Sequence, residues 1–294
     1  MKQPLDQIRS YLVRVAFDGD GYSGWQTQPN GVTVQEILEK AFAQVTGVAV
    51  RLNAAGRTDA GVHALDLPAD FHLPYEFDLP ALRRAWNAVT PRNISVREVC
   101  RVPDGFSCRY RAIRRTYRYL IDNRRCPSPF LTRYAWNITD KLDITSMQTA
   151  MSALIGEHDF TTFRAADCEA KHAVRCVETA TVHAVTAGEL SALDAWWPYP
   201  GALEEGLLSL TLAANAFLKH QVRSIVGTLV EVGRQKIAAT RMAEILAARD
   251  RRLAGPTAPA HGLALIRVDF PPDAFQDDAA RGRPIQQEDH DGFA

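Results

Sequence analysis

The order in which strand-like and helix-like segments follow one another is the feature that most limits the folds open to this chain. A strand, a helix, two strands, a helix and a strand are predicted over residues 11–99, and residues 116–270 repeat that order with longer connections. This is the ferredoxin-like order. We therefore predict an α+β protein in which two ferredoxin-like β-α-β-β-α-β units with antiparallel sheets flank a central active-site cleft.

Capping signals and hydrophobic spacing set the individual boundaries. Thr33 and Glu36 fit a capping box, and apolar residues at three- and four-residue spacing behind them predict a helix over 34–46. Further helices are predicted over 79–89, 144–155 and 220–232. Strands are predicted over 11–17, 48–53, 66–72, 94–99, 116–121, 178–185, 207–213 and 263–270.

The same pattern predicts the domain organisation. An N-terminal α/β domain over 1–108 is followed by a C-terminal α/β domain over 109–270, which carries an insertion near 187–205. Residues 271–294 begin with two prolines and contain few large apolar side chains. Such a composition cannot bury enough apolar surface to fold, so this acidic tail is predicted to be disordered.

A loop of small residues, 55–64, carries a single carboxylate. Asp59 lies two positions after Arg57, and Gly56 and Gly61 allow sharp turns and close approach of the backbone to a bulky partner. A nearby guanidinium can keep a carboxylate ionised when water is excluded, and such an acid can act as a nucleophile. The alternative is an ordinary turn, in which the side chain of Asp59 only hydrogen-bonds its own backbone.

This loop resembles the signature loop of the tRNA pseudouridine synthase A family, and similar segments recur in the same order up to about residue 270. They comprise residues 17–19, 22–26, 34–36, 115–119, 160–164, 215–218, 222–227 and 262–265. One departure concerns Ser107 and Cys108, which stand where the family more often has His or Asp and then Ala. The departure puts in doubt any polar contact made at this point.

The resemblance implies isomerisation of uridine to pseudouridine in the anticodon stem-loop of tRNA, by a homodimer that needs no cofactor and no metal. Asp59 would be the catalytic nucleophile, and attack on the sugar or on C6 of the base are both open. Arg223 would be the arginine that pairs with it. Arg57 would occupy the space left by the flipped base and contact phosphate, while Tyr117 would stack on the target base. The alternatives are an ordinary strand tyrosine that faces the core for Tyr117 and a surface helix residue for Arg223.

Charge is distributed unevenly along the chain. The 34 basic residues balance the 34 acidic ones, but residues 1–272 alone hold 32 basic against 28 acidic residues, a net charge of +4. Residues 109–125 contain one acidic residue, Asp122, and seven arginines: Arg109, Arg111, Arg114, Arg115, Arg118, Arg124 and Arg125. Tyrosines interleave with these arginines, as on RNA-binding surfaces. We predict a phosphate-binding stripe with Arg109 and Arg115 as substrate contacts; the alternative is a merely solvated face.

The sequence lacks the motifs that are typical of several other classes of protein. The five cysteines include no Cys-x-x-Cys pair and the histidines no His-Glu-x-x-His, so neither a disulfide framework nor a metal site is expected. Residues 19–24 match a dinucleotide-binding glycine pattern, but no helix opens at the third glycine, and Val62 and His63 stand where a P-loop needs Lys and Ser or Thr. No nucleotide cofactor is therefore expected.

The location and the main rival function follow from similar arguments. No apolar run approaches the ~20 residues that span a bilayer, and the first residues lack the apolar core of a signal peptide, so we expect a cytoplasmic protein that does not bind membranes. The rival function is a non-catalytic RNA-binding module of ferredoxin-like fold. Asp59 distinguishes the two, because an acid beside phosphates is unfavourable for a passive binder.

Overall fold

Two compact units make up the chain in a computed structural model that describes residues 2–186 and 206–275. The first unit comprises the residues up to Arg114 together with those from Leu265 onwards, and the second comprises Arg115–Ala264. Both are α+β, and their strands pair almost entirely antiparallel. The predicted insertion near 187–205, and the predicted tail from residue 276 onwards, lie outside the described residues.

The first unit follows the predicted order of strands and helices, with one short helix added. Its elements are β1 (Lys2–Phe17), α1 (Val34–Thr46), β2 (Asn53–Ala54), β3 (His63–Phe77), α2 (Leu79–Val89), β4 (Ile94–Val102) and α3 (Cys108–Arg111). β1 lies in the middle and pairs antiparallel with both β3 and β4, so that Val13 is opposite Ala69 on one side and Val99 on the other. Both β1 and β3 are longer than the strands predicted over 11–17 and 66–72, because the two pair with each other along most of their length.

Aromatic rings fill the space between the helices and the sheet of the first unit. Phe42 of α1 meets Trp86 of α2 edge-on at a centroid distance of 4.9 Å and Phe71 of β3 at 5.5 Å. All three rings are fully buried. The indole nitrogen of Trp86 donates to the carbonyl of Leu38 at 3.0 Å, so this polar group is satisfied inside the core.

The sequence signals for both helices of the first unit are confirmed. The hydroxyl of Thr33 accepts from the Glu36 amide at the start of α1, which ends at Gly47 in the left-handed conformation. Asp78 caps α2 by accepting from the Ala81 amide at 3.0 Å. Capping residues therefore determine where these helices begin.

The strand predicted over 48–53 is mostly wrong, because only Asn53 of it lies in β2. Side chains of α1 satisfy the backbone here instead of a neighbouring strand. The Leu52 amide donates to the Glu39 carboxylate and the Leu52 carbonyl accepts from the Gln35 amide group, both at 2.9 Å. With these groups already paired, the segment has no need of a sheet partner.

The second unit contains a sheet of four antiparallel strands in the order β5-β9-β8-β7. Its elements are β5 (Arg114–Asp122), β6 (Trp136–Asn137), α4 (Ile144–Ser152), β7 (Gly156–Asp159), β8 (Val174–Ala184), β9 (Leu207–Ala214), α5 (Gln221–Gly233) and α6 (Met242–Ala247). The closing strand β10 (Leu263–Asp269) ends in the first unit. α4 ends three residues before the predicted position, because tighter turns over 153–155 lead into Gly156, whose φ is +108°.

Helix α5 is the buried helix of the second unit. Its residues are buried on nearly all sides, and the segment 255–258 packs directly against it. The Gly255 amide donates to the Thr228 hydroxyl at 2.8 Å, and the Ala258 amide donates to the Arg223 carbonyl at 3.0 Å. A Cβ atom at Gly227 would overlap the carbonyl oxygen of Pro256, so this glycine permits the close contact.

Gly227→Ala should therefore destabilise the protein, although alanine is the better helix former by about 1 kcal/mol. We expect a net loss of about 1–3 kcal/mol from the overlap with Pro256, measured as a lower midpoint in urea. Gly56→Ala is the matched control, because a Cβ there meets nothing within 4 Å. An unchanged or higher midpoint for Gly227→Ala would contradict the packing described.

No helix within the described ranges is both long enough and apolar enough to cross a lipid bilayer.

Candidate functional site

The loop that carries Asp59 runs from β2 to β3 and is fixed at both of its ends. The Ala55 amide donates to the Pro68 carbonyl of β3 at 2.9 Å, and the Val62 amide donates to the Asp59 carbonyl at 3.1 Å. The second bond closes a four-residue turn that needs positive φ at its third residue, which is Gly61 at +77°. Asp59 is half-buried and Arg57 is exposed.

A second loop, residues 18–25, packs against this turn through its backbone. The Trp25 amide donates to the Thr58 carbonyl and the Gly61 amide to the Tyr22 carbonyl, both at 3.2 Å. At Gly24, with φ +89°, a Cβ would lie 2.5 Å from the Thr58 oxygen and 3.0 Å from the carbonyl carbon of Asp59. The close approach of the two loops thus requires glycine, and it fixes the peptide that carries the carboxylate.

His63 anchors the C-terminal end of the Asp59 loop to the same second loop. The side chain of His63 is buried, and its Nδ1 lies 3.0 Å from the Gly19 amide nitrogen and 3.0 Å from Asp18 Oδ1. A Cβ at Gly19 would overlap the Val62 carbonyl oxygen, so a second close approach occurs here. His63 therefore supports the loop. Within residues 2–186 and 206–275, no three His, Cys, Asp or Glu side chains are arranged to hold a metal ion.

Helix α3, also in the first unit, carries the predicted substrate contact Arg109. The side chains of Arg109, Tyr110 and Arg111 are exposed, and the Arg109 guanidinium lies over the Tyr110 ring at 5.7 Å from its centroid. Guanidinium and ring together form a surface of the kind that RNA-binding proteins present to phosphates and bases.

Three further predicted site residues lie in the second unit, on β5 and α5. Tyr117 is buried and meets Phe217 edge-on at 5.2 Å. The Arg115 guanidinium donates to the Asn215 carbonyl at 2.7 Å. The Arg223 Nε donates to the Ala258 carbonyl at 2.8 Å, which fixes the direction of its half-buried side chain.

Tyr119 lies beside Arg223 and was not identified from the sequence as part of this group. Its ring is fully buried, and its hydroxyl donates to the Pro259 carbonyl at 2.9 Å. Burial raises the pKa of Tyr119, while the positive charge of Arg223 partly lowers it. Tyr119 therefore stays neutral and holds the segment 258–259 whose neighbouring carbonyl orients Arg223.

The arginine stripe divides into structural and exposed members. Arg114 pairs with the buried Asp269 at 2.7 Å, and Arg124 pairs with the buried Asp122 at 2.6 Å. These two guanidinium groups compensate buried carboxylates. Arg109, Arg111 and Arg125 are exposed instead. The structure thus places Arg57, Asp59 and Arg109 in the first unit, with Arg57 and Asp59 in one loop, and Arg115, Tyr117 and Arg223 in the second.

The glycine contact at the Asp59 loop leads to a paired test. Gly24 and Gly21 both have positive φ, at +89° and +79°, so alanine strains the backbone at either position, but a Cβ at Gly21 meets nothing within 4 Å. Gly24→Ala should cost about 1–3 kcal/mol more stability than Gly21→Ala, because it also collides with the Asp59 loop. Amide exchange at Trp25 and Gly61 should accelerate in Gly24→Ala alone; equal exchange in both variants would show that the collision is absent.

Comparison with known proteins identifies the family of this chain. A family model described as tRNA pseudouridine synthase matches residues 14–111 and 150–271, which is more than half of the chain. A protein named tRNA pseudouridine synthase A from Geobacter sp. (strain M21) is 40% identical over 268 residues, covering 90% of this chain and all of the relative.

Two further relatives carry the same name. The protein from Myxococcus xanthus is 39% identical over 259 residues, covering 87% of this chain and 91% of its own length. The protein from Methylobacterium radiotolerans is 40% identical over 263 residues, covering 89% and 98%. Both matched stretches of the family model include predicted site residues, among them Asp59 in the first and Arg223 in the second. This chain belongs to the tRNA pseudouridine synthase family.

Proposed function

We propose that this protein isomerises uridine to pseudouridine in the anticodon stem-loop of tRNA, with Asp59 as the catalytic carboxylate. The observation that carries the proposal is the fixed position of Asp59 in the family's loop. Backbone hydrogen bonds from Trp25 and Gly61 hold the turn that presents it. A turn residue that only bonded its own backbone would not need a second loop packed against it.

The reaction requires a nucleophile and a site that holds the uracil base after it is detached from the ribose. The bond between uracil N1 and C1′ of the ribose breaks, the base rotates, and a bond forms between C5 and C1′. The hydrogen on C5 leaves as a proton and N1 gains one, so the isomer has the composition of the substrate. The Asp59 carboxylate forms a covalent bond either to the sugar or to C6 of the base. This bond to Asp59 breaks again in the later part of the reaction, so the carboxylate is regenerated.

Substrate binding is assigned to arginines and one aromatic ring. A uridine in a stem must be flipped out, at a cost of a few kcal/mol, and Arg57, being exposed beside Asp59, fills the space it leaves. Stacking of the base on Tyr117 offsets about 1–3 kcal/mol of that cost. Phe217, which meets this ring edge-on, sets its plane.

The remaining arginines interact with negatively charged groups of the tRNA and of the protein. Arg109 and Arg115 contact the phosphates of the tRNA. Arg223, directed by the Ala258 carbonyl, pairs with the Asp59 carboxylate when tRNA is bound. We further propose that the two units are ferredoxin-like, that the protein acts as a cytoplasmic homodimer, and that it uses no nucleotide cofactor; the family resemblance supports each of these.

Asp59→Asn tests the catalytic assignment directly. With tRNA labelled with tritium at uridine C5, the variant should release tritium to water at less than about one-thousandth of the rate of the parent protein. Its affinity for tRNA should be unchanged or higher, because a negative charge near phosphates is removed. Asp20→Asn, which neutralises an exposed carboxylate in the neighbouring loop, is the matched control and should keep full activity.

The same assay separates catalysis from passive RNA binding. Release of tritium by the parent protein without added metal or nucleotide supports isomerisation, whereas tRNA binding without release supports the binding module. Turnover retained by Asp59→Asn would remove Asp59 from the catalytic role while leaving the isomerase activity itself in place.

A further inference from the structure

A chain of hydrogen-bonded polar side chains on β1, β2 and β3 leads to the segment before helix α3. Asp70 of β3 is 1% exposed, and its Oδ1 accepts from the Cys108 amide at 2.7 Å. Its Oδ2 accepts from the side-chain amide of Asn53 and lies near His72 Nε2, both at 3.1 Å. On the other side of the imidazole, His72 Nδ1 lies 2.8 Å from the Ser10 hydroxyl.

The chain ends on a second backbone amide of the same loop. The Ser10 hydroxyl accepts from the Gly105 amide at 2.9 Å. The segment 105–108, which leads into α3, is therefore held at Gly105 through Ser10 and at Cys108 through Asp70. The imidazole of His72 joins the two anchors. All of these residues lie in the first unit.

Neutral His72 with its proton on Nε2 satisfies the whole chain. Asp70 is an acceptor for three donors, so His72 must carry a proton on Nε2, because a lone pair there would face the carboxylate. In neutral His72, Nδ1 then accepts the Ser10 hydroxyl proton, and the Ser10 oxygen remains the acceptor for Gly105. Because each link depends on the next, loss of one group disturbs both anchors.

The anchored segment contains Ser107 and Cys108, where the sequence departs from the family. Cys108 is fully buried: its thiol donates to the Asn53 carbonyl at 2.9 Å and lies 3.6 Å from the Pro68 carbonyl, and its backbone amide donates to Asp70. The carboxylate thus acts on the first residue of the four-residue helix α3. So short a helix has little stability of its own, so its position depends on such anchors.

We propose that Asp70, supported by His72 and Ser10, is a positioning residue for Arg109 and thereby sets the affinity for tRNA without taking part in the chemistry. The inference rests on the proposed role of Arg109 as a phosphate contact. Arg109 follows Cys108 directly, so the anchored amide fixes the backbone position from which its side chain leaves the surface. Without the hydrogen bond from the Cys108 amide to Asp70, the Arg109 side chain samples more orientations. Its contact with the phosphate is then formed for a smaller fraction of the time.

The main test is Asp70→Asn, assayed by tritium release over a range of tRNA and salt concentrations. An amide there would direct an N–H group at the donors of Asn53 and His72. We expect KM for tRNA to rise about three- to tenfold with kcat unchanged, and the slope of log affinity against log salt to fall by about 0.7–0.9, the value for one phosphate contact. Arg109→Gln should give the same pattern, and the double variant should be little worse than either single variant.

Two controls separate positioning from general stability. Asp78→Ala removes the side-chain cap of α2 in the same unit and should lower the unfolding midpoint without changing KM or the salt slope. If Asp70→Asn does not fold, the partly exposed His72 provides a second test. His72→Gln keeps an N–H donor for Asp70 and should retain the parent KM, whereas His72→Leu should raise it.

Each outcome has a distinct meaning. An unchanged KM and salt slope in Asp70→Asn and His72→Leu, with a raised KM in Arg109→Gln, would overturn the positioning role and leave the proposed function intact. Parallel loss of kcat in Asp70→Asn would also overturn it. An unchanged KM in Arg109→Gln would instead remove Arg109 from the proposed binding surface.

Discussion

The close contact of two loop backbones is the constraint on which the candidate site depends. The turn at Asp59 is held by backbone hydrogen bonds to the loop 18–25, and Gly19 and Gly24 permit the required distance. The position of the peptide that carries the carboxylate is therefore set by backbone geometry, and a side chain larger than hydrogen at Gly19 or Gly24 would disturb it.

The first unit shows the opposite use of a carboxylate at Asp70. This side chain accepts three hydrogen bonds and is almost fully buried, so it holds other groups in place. Asp59 is half-buried and lies in a loop of small residues next to the exposed Arg57. Asp70 therefore holds other groups in place, whereas Asp59 is the proposed catalytic carboxylate.

Local signals in the sequence predicted the helices well and the short elements poorly. Thr33 and Asp78 mark helix starts because their side chains cap backbone amides a few residues away. β6, β7, α3 and α6 are each two to six residues long, too short for hydrophobic spacing to be recognised. The strand predicted over 48–53 was mostly wrong because side chains of α1 had already paired with its backbone, and no local pattern reveals such a partner.

The candidate residues of the site could be predicted from the sequence, but the contacts that hold them could not. The loop 55–64 identified Asp59 and Arg57, and the resemblance added Tyr117 and Arg223. The contacts that hold these residues join positions far apart in the chain, such as Trp25 with Thr58 and Arg223 with Ala258. The arginine stripe shows the same limit, because the buried Asp269 that pairs with Arg114 lies more than 150 residues away along the chain.

The segment at Ser107 and Cys108 shows how a sheet can fix a short helix that lies outside it. A backbone amide can be held by any buried acceptor at the right distance, whatever the side chain of its own residue. For Cys108 this acceptor is Asp70, and Asn53 and His72, which orient the carboxylate, lie on the paired strands β2 and β3. The anchor of α3 is therefore supplied by the sheet, through residues whose role becomes visible when the strand register is known.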